Sequence, residues 1–245
     1  MLSTTVNQKP TFTSINNPIR AFKLKTRLGD VVVREFKQEN CSSQHDLTKL
    51  SKFFVDNFIQ GSTSPGWKKF GRHENLVMYK NKVLSFNYFI ESVFKKDDGN
   101  SNILVAKDKF NNIVGAIITT KLREVRGLSD SRTMYIDSLA VAQEYRRNNV
   151  AKILMEKVFQ AGKDIYTDVI LAGYNRAVPF YEKLGFKKVD LKNPIEKMYY
   201  DILREDRTDI PHYTKLLHMP LKPDAERWWQ RMSGRIINYR EQMMK

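Results

Sequence analysis

The chain has 245 residues with a formal charge of +15, and 41% of its residues are hydrophobic and 28% charged. Together with a mean hydropathy of −0.51, that composition excludes a disordered chain, and no apolar run is long enough for a membrane helix. The positive balance draws polyanions such as nucleic acid or a phosphate-rich cofactor, and diffuse solvated surface charge accounts for it equally well.

Met1 to Pro18 carries Ser, Thr, Asn and Pro, no acidic residue and no apolar h-region. It reads as an N-terminal arm (1–30) rather than a secretory signal. Phe22 and Leu24, the turn Leu28-Gly29-Asp30 and the run Val31 to Phe36 predict a hairpin or extended arm feeding a first strand. Asp46 to Ile59 has helical periodicity through Leu47, Leu50, Phe53, Phe54 and Phe58, with Ser42 or Ser43 as a cap. The breaker Gly61 to Gly66 follows, and Trp67 to Lys96 holds one or two helices. Ile103 to Ala106 and Ile113 to Ile118 form an antiparallel pair around Lys107 to Asn112.

Tyr135 to Val141 is an apolar strand that passes through a polar loop into an amphipathic helix. Val150, Ile153, Leu154, Val158 and Ala161 recur on one face of that helix. Val169 to Ala172 is a short buried strand. Asn175 opens a second helix to Leu184, closed by Gly185 at C′. Phe186 to Val189 is a candidate strand, and a helical insertion is expected near 193–205. Tyr213 to Leu221 alternates as a last strand, and Asp224 to Met244 forms a terminal helix. The order predicts a mixed α+β domain over 31–221: an α/β three-layer arrangement with a mostly antiparallel sheet flanked by helices, then a C-terminal helical extension over 222–245.

The single cysteine, Cys41, precludes an internal disulfide and suits a reducing, cytoplasmic compartment. His45, His73, His212 and His218 lack metal-ligand spacing, so no metal site is expected. Trp228, Trp229, Met232 and Ile236 stripe the terminal helix. Packing on the domain is the ordinary use of such a stripe, and a homodimer seam or a membrane surface are its alternatives.

The loop Gln143 to Ala151 has the makings of an anion site. A helix start offers unpaired N–H groups, Ala151 keeps that start small, Asn149 tolerates positive φ, and Arg146 and Arg147 add charge. The string Arg146-x-x-Asn149-x-Ala151 after Leu139-Ala140-Val141, followed by Asn175-x-x-x-x-Phe180-Tyr181-Glu182-Lys183-Leu184-Gly185-Phe186, resembles the GNAT superfamily of acyl-CoA-dependent N-acetyltransferases. It matches the family's [Arg/Gln]-x-x-Gly-x-[Gly/Ala] motif at Arg146 and Ala151 and departs from it at Asn149.

The resemblance implies acetyl-CoA as co-substrate and no metal. The backbone of Leu139, Ala140 and Val141 would hold the pantetheine arm, and a bulge there would splay the strand from Val169 to Ala172. The amides of Arg146, Arg147, Asn148, Asn149, Val150 and Ala151 would hold the diphosphate. Asn175 would contact the cofactor near the pantetheine, and Tyr181 would face the thioester sulfur. Attack by a neutral amine generates an oxyanion, which an N–H near Val141 could stabilise, and a thiolate, which the Tyr181 phenol could protonate. Asp137 is the candidate acceptor of the amine proton, with Glu35 and His212 as weaker alternatives. The acceptor is expected to be a small-molecule amine or a protein or peptide amine. A non-catalytic polyanion or RNA-binding module, stacking bases on Trp67, Phe70 and Tyr79, is the rival reading.

Overall fold

The computed structural model describes residues 21–37, 44–61, 72–95, 101–122, 132–194, 196–197, 200–201 and 214–221. The arm before residue 21, the Ser42/Ser43 cap, Trp67, Phe70, His212 and the terminal helix lie outside them.

Eight strands form one sheet in the order β1-β2-β3-β4-β5-β6-β8-β7. They are β1 (Phe22–Thr26), β2 (Gly29–Glu35), β3 (Asn102–Lys107), β4 (Ile113–Lys121), β5 (Thr133–Val141), β6 (Asp168–Tyr174), β7 (Lys187–Lys188) and β8 (Thr214–Pro220). Every pairing is antiparallel except β5 with β6. The mostly antiparallel three-layer architecture read from the sequence is therefore what forms. β1 lies within the stretch 1–30, so the described part of that stretch is a strand of the sheet. Its hairpin turns at Gly29, whose φ of 112° is open to glycine alone.

Four helices flank the sheet among the described residues: α1 (Gln44–Gly61), α2 (Arg72–Lys95), α3 (Val150–Gly162) and α4 (Val178–Lys183). Residues 194, 196–197 and 200–201 are also helical, within the expected insertion. None is long and apolar enough to cross a membrane.

Both faces of the sheet are covered because its central strands are apolar on both sides. Leu104, Ala106, Ile117, Met134 and Ile136 pack with Val150, Leu154 and Val158 of α3. Ile103, Val105, Ala116, Ile118 and Ala140 pack with Leu50, Phe54 and Ile90 of α1 and α2. This alternation is the period-2 signature of a strand buried on both sides. The two helices are further tied by aromatic rings, with Phe54 and Phe86 stacked at 5.6 Å.

α2 is a single helix, where one or two were expected. Val83, Asn87, Ile90 and Val93 are buried while Leu84 and Tyr88 are exposed, so apolar residues surround it and blur the period that would mark its ends. Tyr79, read as a possible base-stacking residue, instead hydrogen-bonds Asp56 on α1. Its phenol is pushed up to about 12, chiefly by burial and then by that carboxylate.

Candidate active site

The functional geometry starts with one extra residue in β5. Ile118 pairs with Ser138 and Thr119 with Ile136, so Asp137 has no opposite number on β4. This is a β-bulge. The parallel ladder between β5 and β6 ends at the same point, with Ile136 opposite Leu171. Beyond it, β5 stays on β4 as far as Val141, while β6 stays on β8 as far as Tyr174. The two central strands therefore part, leaving a wedge between 137–141 and 172–174. The splay was expected from a bulge at Leu139 to Val141. The bulge lies just before them, at Asp137, and leaves Leu139 to Val141 in regular register as one wall of the wedge.

Hydrogen-bond alternation decides what that wall presents. Ala142 donates its N–H to Val114 on β4. In an antiparallel ladder alternate residues share this edge, so the N–H groups of Leu139 and Val141 are directed at the edge that β6 has left. The bulge also switches faces. Met134 and Ile136 before it, and Leu139 and Val141 after it, all pack in the α3 layer. Asp137 and Ser138 thus share the α1–α2 side, where the Ser138 hydroxyl lies 3.2 Å from the Asp137 carboxylate.

At the wide end of the wedge the chain enters the polar loop. Gln143–Tyr145 makes a 3₁₀ turn, and Arg146 is extended. Arg147 and Asn149 both have φ of 63°. Asn149, at φ 63° and ψ 6°, is the N-cap of α3, and its side chain makes no cap hydrogen bond. The positive-φ role anticipated for Asn149 is the one it plays. Its carbonyl accepts from Ile153 N–H at 3.0 Å, which leaves the amides of the first turn pointing out of the helix end.

The loop is held from three directions. Arg146 donates from Nε to the Val141 carbonyl at 3.1 Å. Asn148 accepts from the Arg27 N–H at 3.3 Å and donates to the Arg146 carbonyl at 3.2 Å. Tyr145 hydrogen-bonds Asp108 in the β3–β4 turn. Burial opposes the Asp108 anion, yet hydrogen bonds from Asn112, Phe110 and Tyr145 hold its carboxyl below the usual range. Under the loop the sheet comes unusually close to α3. A Cβ on Gly115 would lie 2.7 Å from Cγ1 of buried Val150.

Tyr181 closes the narrow part of the wedge. It sits on α4, which follows β6 through a 3₁₀ turn at Asn175–Ala177. A single helix from Asn175 to Leu184 was expected. Pro179 lacks an N–H and fits only a first turn, so regular α-helix starts at Val178. Gly185, with φ of 98°, ends it as anticipated. The Tyr181 ring lies over Gly173 of β6, where a Cβ would approach it to 3.1 Å. It meets Phe180 at 5.1 Å and Phe186 at 5.8 Å. Burial pushes its phenol up to about 12, with a further contribution from Tyr135 on β5. Tyr181 is thus a protonated donor at neutral pH.

Residues 72–186 match the family model of the acetyltransferase (GNAT) family. Over that stretch, a little under half of its length, the chain is similar to the GNAT family. A 64-residue stretch is 39% identical to an N-alpha-acetyltransferase of Saccharolobus solfataricus, covering 24% of this chain and 38% of that relative. Among solved structures, the fold resembles a GNAT-family acetyltransferase of Staphylococcus aureus, with TM-score 0.50 and 17% identity over 78% of this chain and 99% of the other. It also resembles the PaiA N-acetyltransferase of Thermoplasma acidophilum, solved in complex with coenzyme A, with TM-score 0.51 and 15% identity over 78% and 98%. At those identities the likeness speaks for the fold.

The fold brings most of the candidate residues together. Asp137, Leu139, Ala140, Val141, Arg146, Arg147, Asn148, Asn149, Val150, Ala151 and Tyr181 all border the wedge or its loop. Ala140 and Val150 do so through their backbones, since their side chains are buried in the core. Asn175 is exposed on the turn that leaves β6. Glu35 is not brought to the site: β3 and β4 separate its strand from β5, and it lies 3.8 Å from Lys37. Among the described residues no cluster of His, Cys, Asp or Glu is arranged to hold a metal ion. Sequence reasoning missed Tyr135, Arg27 and Asp108. Only Asp108 left a signal, the Asp108-x-x-x-Asn112 turn closed by the carboxylate on two backbone N–H groups.

Proposed function

We propose that the chain is an acetyl-CoA-dependent N-acetyltransferase that moves the acetyl group to a primary amine by direct attack in a ternary complex. The observation that carries this reading is the wedge between β5 and β6 with a turn of free-ended amides at its wide end and a protonated phenol at its narrow end. The Thermoplasma neighbour's complex with coenzyme A supports the choice of donor. The Saccharolobus relative's name supports an amine acceptor, and makes the α-amino group of a protein N-terminus the first acceptor to test.

The residues fit such a donor. A slim pantetheine arm needs strand edges with free backbone groups, which Leu139 and Val141 direct into the wedge. Gly173, with no side chain of its own, lets the Tyr181 ring lie against β6 beside that edge. The diphosphate needs converging N–H groups and positive charge, supplied by 146–151 with Arg146 and Arg147. Acetyl-CoA supplies an activated acyl group whose thiolate is a good leaving group.

The chain's own work is then electrostatic and protonic. In this reading the Val141 N–H, directed at the edge vacated by β6, stabilises the charge that develops on the carbonyl oxygen. Asp137, on the α1–α2 side opposite Ile136, takes the proton from the incoming ammonium directly or through a water. Tyr181 hydrogen-bonds the sulfur as its bond to carbon lengthens. At about 12 the phenol is a weaker acid than an ordinary thiol at about 8.5. Tyr181 therefore keeps its proton and stabilises the departing thiolate as a hydrogen-bond donor, and the thiolate leaves with the coenzyme.

The test is Tyr181→Phe, which keeps the ring and its packing. Turnover with acetyl-CoA and an amine or peptide panel is expected to fall about 100-fold, the lower bound for loss of a positioned proton donor, while the dissociation constant for CoA changes less than about twofold. Equal turnover removes Tyr181 from this role. Absence of any acetyl-CoA binding by the wild type removes the reading itself.

A further inference from the structure

The β1–β2 hairpin lies outside the region matched by the GNAT family model, yet it reaches the phosphate loop. Its turn residue Arg27 gives its backbone N–H to the side chain of Asn148, 121 positions away in the chain. Asn148 in turn holds the Arg146 carbonyl, so the turn is braced against the amides that would face a diphosphate. The Arg27 side chain is exposed, and among the described residues no carboxylate pairs with it. Its hairpin neighbours are differently placed, for Asp30 is taken by Lys23 at 2.7 Å. On the opposite side of the loop, Arg146 has its Nε committed to Val141, and Lys152 is drawn to Glu156 at 3.7 Å.

We propose that the β1–β2 turn forms an outer wall of the acyl-CoA site and that Arg27 is a binding residue for the phosphates of its nucleotide end. The inference rests on the acyl-CoA reading above. A guanidinium on a turn fixed within one hydrogen bond of the loop reaches any anion held on the loop's amides, and its fork geometry suits a phosphate better than a lysine would. The hairpin thereby gives this chain a phosphate contact that its Arg146 to Ala151 motif does not contain. Asn148 is the positioning residue, since it sets the distance between turn and loop.

Calorimetric titration of the full chain with CoA, dephospho-CoA and pantetheine tests this. Arg27→Ala is expected to weaken CoA about five- to tenfold, more at low salt than at high salt, and to leave pantetheine binding unchanged. Arg27→Lys restores part of the loss. A loss that persists with dephospho-CoA assigns Arg27 to the diphosphate, and a loss confined to CoA assigns it to the 3′-phosphate; either supports the proposal. Equal CoA affinity in wild type and Arg27→Ala overturns it. So does an equal loss with pantetheine, which would make the turn a prop for the loop's shape. A wild type that binds none of the three overturns the acyl-CoA reading, and this inference with it.

Discussion

Asn149 stands where the family motif has glycine, and its backbone shows why that matters. Its φ of 63° and ψ of 6° lie in the left-handed region. A residue with a Cβ pays roughly 1–2 kcal/mol there, and Asn pays less because its short polar side chain is tolerated. The Asn149 side chain makes no cap hydrogen bond, so its removal carries no capping loss. Asn149→Ala is therefore expected to cost about 1 kcal/mol, and Asn149→Val, β-branched, about 2 kcal/mol. Asn149→Gly should fall within about 0.5 kcal/mol of wild type, because relief of strain offsets the greater freedom of the unfolded chain. For a chain of this size each kcal/mol moves Tm by about 2–4 °C. Urea midpoints with a common slope give the same ordering independently. CoA affinity should follow that order, since a loop relaxing out of positive φ turns the amides of 149–151 away from the anion. An Asn149→Ala variant as stable and as tight-binding as wild type would refute the reasoning, as would a glycine variant less stable than the alanine one.

Two further outcomes follow from close contacts and burial. Gly115→Ala places a Cβ 2.7 Å from Val150 Cγ1 and 3.2 Å from Leu154 Cδ1; these side chains are sealed in the core, so α3 must shift. The expected cost is about 1–3 kcal/mol by overpacking with weaker CoA binding, and unchanged values of both would show that the helix start is not seated on the sheet. The buried Tyr181 phenol titrates near 12 when folded and near 10 when unfolded. Its contribution is thus complete below about pH 10 and is lost as pH rises toward 12. Tyr181→Phe should therefore lose less stability than wild type between pH 9.5 and 11.5 by about 1–2 kcal/mol, and parallel pH profiles would contradict the burial assigned to the hydroxyl.

Much of the fold was legible because its signals are local. Alternating apolar runs marked the strands, Gly29 and Gly185 marked the turns that need positive φ, and 150–161 kept a clean helical face. The candidate phosphate loop could be proposed from sequence for the same reason: Arg146, Asn149 and Ala151 sit within one turn of each other. What escaped depends on partners. Nothing in Ile136-Asp137-Ser138 announces a bulge, because a bulge is defined by which residues on β4 lie opposite. The brace between Arg27 and Asn148 joins positions 121 apart, with no periodicity to betray it. Glu35 looked eligible as a base only while the order of strands was unknown.

The inserted residue Asp137 links these points. With β5 in unbroken register, Leu139 and Val141 would face the α1–α2 layer and their amides would lie on the β4 edge. One extra residue reverses both. It turns Leu139 and Val141 into the α3 layer and directs their N–H groups at the edge vacated by β6, while the Asp137 carboxylate stays on the other face, opposite Ile136. The proposed base, Asp137, and the proposed oxyanion donor, Val141, four residues apart on one strand, thus come to flank the same opening from opposite sides. In the proposed reaction the amine enters from one face and the acyl donor lies along the other, and this one irregularity in the register separates the two. The proposed chemistry therefore depends on strand register before it depends on any side chain.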